Sequence, residues 1–74
     1  MMDRSAKHVL ELVERIKPIL AGQDPSEQGA VLAELLSLWL AGHRPPALRE
    51  AILAHHIEAV LALTKINAHA LHGE

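Results

Sequence analysis

Between Pro46 and Gly73 the chain runs 26 residues without a glycine or a proline. Alanine and leucine dominate this stretch, and both favour helix. Pro45 and Pro46 fit only the first turn of a helix, because neither has an amide proton to donate further in. The spacing therefore predicts a helix over residues 45–72, which at 1.5 Å per residue reaches about 40 Å. The rest of a 74-residue chain offers nothing long enough to cover it.

This helix also carries more apolar surface than one contact can use. At 100° per residue, Leu48, Ile52, Ala59, Leu63, Ile66 and Ala70 share one face, and Leu53, Ile57, Val60, Leu61 and Leu71 a nearly opposite one. Only one of these faces can meet the other helices. The second, left in water, is the kind of patch that marks an interface. Glu58, Lys65, His69 and His72 form the remaining polar strip.

Two earlier helices are marked by their punctuation. Residues 3–21 place Val9, Leu12, Val13, Ile16 and Leu20 on one side, and the alternating charges of Asp3, Lys7, Glu11 and Arg15 on the other, at the spacing of i,i+4 pairs. Pro18 lies inside the pattern and predicts a kink or an early end, and Gly22 supplies a left-handed stop. "GQDPSEQG" then reads as a helix start. Asp24 is placed to cap the first amides, Pro25 suits the first helical position, and Glu27 completes a capping box. The second helix, 25–41, is apolar around most of its circumference and ends at Gly42. "HRPP" is too short for anything except an antiparallel return.

The size of the chain sharpens the question of what covers these faces. A single domain of this length sits near the limit at which one core offsets chain entropy, so it calls for a staple or a partner. Disulfides and thiolate zinc sites are excluded by the absence of cysteine, which is the usage of a reducing cytoplasm. The formal charge of −2 with scattered Lys and Arg argues against nucleic acid, which needs a basic face. Residues 1–7 lack the apolar run of a signal peptide, and the apolar stretch 29–42 is too short for a bilayer and contains Glu34.

Catalysis finds little to work with. There is no cysteine or tyrosine, and Ser5, Ser26, Ser37 and Thr64 stand outside any nucleophile motif. No glycine-rich phosphate loop is present. A non-enzyme without a cofactor is expected.

The histidines need separate treatment. His69 and His72 share a face near a helix C-terminus, where cationic groups are favoured without any ligand. His55 and Glu58 are three apart, a spacing used by metal-binding bundles, but a site needs inward donors from a second helix. Glu34 and His8 are the only plausible ones, so no metal is expected and His55 and Glu58 remain weak candidates. His56 lies near Arg49 and Asn67 in angle, between the two apolar faces, where polar groups can set the register of associating helices. A buried histidine there would also tie assembly to pH. Trp39, the sole aromatic, has leucines on both sides at helical spacing, which favours the core over a partner anchor. His43, Arg44 and Arg49 cluster at the second turn, but the adjacent prolines remove the amides an anion site would use.

The expectation is an all-α protein: a single antiparallel three-helix unit with a long C-terminal helix, associating as a helical-bundle homodimer in the cytoplasm. Its interface residues are Trp39, Leu53, His56, Ile57, Val60, Leu61 and Asn67. The function expected is a non-catalytic module that binds its own copy and presents a helical surface to another protein, with no nucleic acid and no membrane. Two alternatives are a metal-binding or pH-responsive bundle using His55, His56 and Glu58, and a structural subunit of a larger hetero-assembly.

Overall fold

The computed structural model describes residues 2–74, with side chains from residue 6 onward, so Asp3 and Ser5 lie outside the described side chains. Three helices account for nearly the whole chain: α1, Met2–Leu20, α2, Pro25–Ala41, and α3, Leu48–His72. No helix is long and apolar enough to cross a membrane among the described residues. Contacts divide the chain into two units, one extending through Ala33 and the other Glu34–Glu74.

In the first unit α1 continues through Pro18 rather than ending early. Gly22 takes φ +86°, the left-handed stop that glycine alone adopts without strain. Gln28 then ties the two helices locally: its Nε2 donates to the Leu20 carbonyl at 2.8 Å, while its backbone amide donates to Asp24 O at 2.9 Å. The Asp24 carboxylate accepts from the Ser26 hydroxyl at 3.0 Å, where the sequence predicts the backbone amides of the first turn. The charges on α1 also pair differently from the i,i+4 ladder. Lys17 Nζ meets Glu14 Oε2 at 3.0 Å, and Glu11 lies 3.9 Å from His8. Exposed long side chains choose among near-equal partners, so spacing alone does not fix them.

In the second unit α3 begins three residues later than the prolines suggest. Leu48 and Arg49 donate to the carbonyls of Pro45 and Pro46, both at 3.0 Å. These are three-residue steps, a tight turn that the prolines, lacking amides, cannot extend into α-helix. At the far end Gly73 takes φ +75° and its amide donates to His69 O at 2.8 Å, a left-handed cap that closes α3.

The packing differs most from expectation. Among the described residues no hydrophobic side chain is buried. The α1 stripe of Val9, Leu12, Val13 and Ile16 is 39–54% exposed, so it is an apolar face without a cover rather than one side of a core. Neither face of α3 is buried within the chain. The half-buried residues of α3 next to the turn are Arg49, Ile52, Leu53 and His56. At 100° per residue they centre between the two apolar faces. The contact thus takes the turn-proximal end of both faces and leaves the rest of each in solvent.

Candidate functional site

The best-defined geometry lies where α2 turns into α3. Arg49 on the first turn of α3 reaches back to the end of α2: its Nη2 donates to Ala41 O at 2.8 Å and its Nε to His43 O at 3.0 Å. A helix ends with carbonyls that have no partner in the helix, and a guanidinium supplies several donors in a fixed fork. Arg49 therefore closes the end of α2 and holds the turn. Its guanidinium is committed to this contact.

Beside this clamp stands the only indole. Trp39 packs edge-on against His43, with ring centroids 5.0 Å apart and an interplanar angle of 82°, and in a tilted contact against His56, also at 5.0 Å. His43 Nδ1 lies 2.9 Å from Trp39 O, and a carbonyl only accepts, so Nδ1 carries the proton. Trp39 is 46% exposed, not the core residue that its flanking leucines suggest. Leu36 and Leu40 are half-buried, while Trp39 stands one residue, or 100°, to the side of Leu40.

Of the other expected interface residues, Leu53 and His56 are half-buried, whereas Ile57, Val60, Leu61 and Asn67 are exposed. Ile57, Val60 and Leu61 lie within about one helical turn of α3 and form a continuous apolar flank. The structure brings Trp39 and His56 together and leaves that flank open. Sequence reasoning missed the Arg49 clamp and the edge contact of His43. The apolar circumference of α2 is open too, with Leu32, Leu35 and Leu38 53–61% exposed.

The other histidines stay apart from one another. His55 and Glu58 are exposed, and among the described residues no group of three or more His, Asp or Glu side chains converges as a metal requires. His69 Nδ1 lies 3.0 Å from the Glu74 carbonyl oxygen, a bond that wraps the C-terminal residue onto the last turn of α3. Thr64 donates its hydroxyl to Val60 O at 2.7 Å. This satisfies the polar group within its own helix.

The described surface has shallow hollows. One, about 800 Å³, is lined by α1 alone, between Ala6 and Arg15. Another, about 460 Å³, lies between Ile19 and Leu20 on one side and Ala30 and Val31 on the other. Neither contains a nucleophile beside a base. No family model, no curated protein and no solved structure matches this chain.

Proposed function

We propose that the chain is a small non-catalytic helical protein that associates with its own copy, as a homodimer, and serves as a protein–protein interaction module. The observation that carries the proposal is the exposed apolar flank. Within the second unit Ile57, Val60 and Leu61 form a flank of α3 that is 45–59% exposed, an apolar patch of the kind that marks an interface.

Charge favours a second copy over a partner of opposite sign. The net charge is −2, and the charges described on α1 alternate or pair along the helix. Such a surface projects no single-sign field to select a basic or acidic partner, and it repels its own copy little. Cyclic dimers are also the commonest closed assembly.

Thermal unfolding followed by circular dichroism over a hundredfold range of concentration tests the reading. A dimer that is folded only when associated gains about 1.4 kcal/mol per tenfold increase in concentration, and its Tm rises by several degrees. A Tm independent of concentration contradicts it.

A further inference from the structure

We infer that the distal part of α3 is a self-complementary seam that pairs in parallel with α3 of a second copy, with the two Asn67 carboxamides facing each other and fixing the register. This rests on the self-association reading above. Leu53, Ile57, Val60, Thr64, Asn67 and Leu71 follow one another at alternating steps of four and three residues, the spacing of a helix–helix seam. Thr64 does not interrupt it, because its hydroxyl is satisfied within the helix by Val60 O at 2.7 Å. Beyond Leu53 these side chains are all exposed, and the rest of the second unit leaves the seam open.

The occupant follows from charge and from the positions beside the seam. The net charge of −2 leaves no strong single-sign field to select a partner of opposite sign or to repel a second copy. The flanking positions are Ala54, His56, Leu61, Leu63, Ala68 and Ala70, with no carboxylate or amine to set like charges against each other when identical helices align. Their apolar character widens the seam beyond that of a two-stranded coil, which gives the α2 segments beside it room to join a common bundle.

Asn67 selects the orientation. A carboxamide enclosed in an apolar seam needs a partner for both its donor and its acceptor, and another carboxamide provides both. A parallel pair in register brings Asn67 to its own counterpart while Leu53 through Leu71 overlap for the full length. An antiparallel pair with comparable overlap sets Asn67 against Val60 or its neighbours and leaves it unpaired.

The absence of cysteine makes a direct test possible in the full chain. Single-cysteine variants Asn67→Cys and Glu58→Cys are oxidised under the same conditions, and the wild-type mass is measured beside them. The inference expects Asn67→Cys to convert to a disulfide-linked species of twice the chain mass, while Glu58→Cys, on the polar strip, remains largely unlinked. If the wild type has the mass of two chains but Asn67→Cys fails to cross-link, or Glu58→Cys links as readily, the parallel seam is overturned and self-association stands. If the wild type has the mass of one chain at every concentration, the reading beneath it fails as well.

Discussion

Trp39 in the last turn of α2 and His56 in the middle of α3 meet with their ring centroids 5.0 Å apart, tilted by 48°. This contact and the Arg49 clamp give the second unit its tertiary definition, and they leave most of the neighbouring apolar surface uncovered. Aromatic pairs contribute about 0.5–1.5 kcal/mol beyond the area they bury. Replacing His56 with alanine is therefore expected to lower stability by about 1 kcal/mol in a urea titration and to alter Trp39 fluorescence. The adjacent His55→Ala substitution, at an exposed site, should change neither by more than about 0.5 kcal/mol. Equal effects at the two positions contradict the assigned contact.

The clamp makes a stronger demand on chemistry. Arg49 donates to two carbonyls at the end of α2, and hydrogen bonds from charged groups contribute about 1.5–3 kcal/mol when well shielded. Arg49 is only half-buried, so Arg49→Ala should cost about 1–2 kcal/mol. Arg49→Lys should recover little of it, because an ammonium does not span both acceptors as the fork does. A lysine variant as stable as the wild type would show that charge, not geometry, holds the turn.

Much of the element order was legible in the residues. "GQDPSEQG" placed the start of α2 at Pro25, and Gly22, Gly42 and Gly73 marked the ends, because local chain stereochemistry decides these features. The doubled apolar surface of α3 was also visible as periodicity. The Arg49 clamp was not, since it depends on where the chain returns after the turn, and no spacing rule links position 49 to carbonyls 41 and 43. Trp39 was misjudged for a related reason. Its flanking leucines looked like core neighbours, but Leu36 and Leu40 are the half-buried pair and leave the indole to one side. The α1 stripe was correctly seen as apolar, yet periodicity says which side is apolar and not whether the same chain covers it.

Two glycines should respond in opposite directions to alanine. Gly22 has open space around its Cβ position but a φ of +86°, so Gly22→Ala should destabilise by about 1 kcal/mol through backbone strain. Gly29 lies within α2, with nothing within 4 Å of a built Cβ and an ordinary helical backbone, so Gly29→Ala should stabilise by about 0.5–1 kcal/mol. Chemical denaturation of both variants checks the pair. The same sign of change in each would contradict the conformations assigned.

Zinc and nickel should leave the melting temperature unchanged. Among the described residues no three donors converge, and two exposed groups three apart on one helix provide too few ligands to bind tightly. A rise in Tm with either metal that disappears in His55→Ala would place a metal site where the geometry has none.

Introducing a charge on the open flank of α3 should separate the copies. Val60 is 45% exposed within one chain, so Val60→Glu costs little to an isolated helix but places a carboxylate in the expected seam. Sedimentation should show loss of the associated species in Val60→Glu, and not in Lys65→Glu on the polar strip. Retention of the same assembly by Val60→Glu moves the interface elsewhere.

The most direct test of the central claim is the solution mass by light scattering across a hundredfold range of concentration. Self-association predicts twice the 8.1 kDa chain mass over most of the range, falling toward one chain only at the most dilute end. A mass of one chain throughout, in a protein that stays folded and soluble, would contradict it.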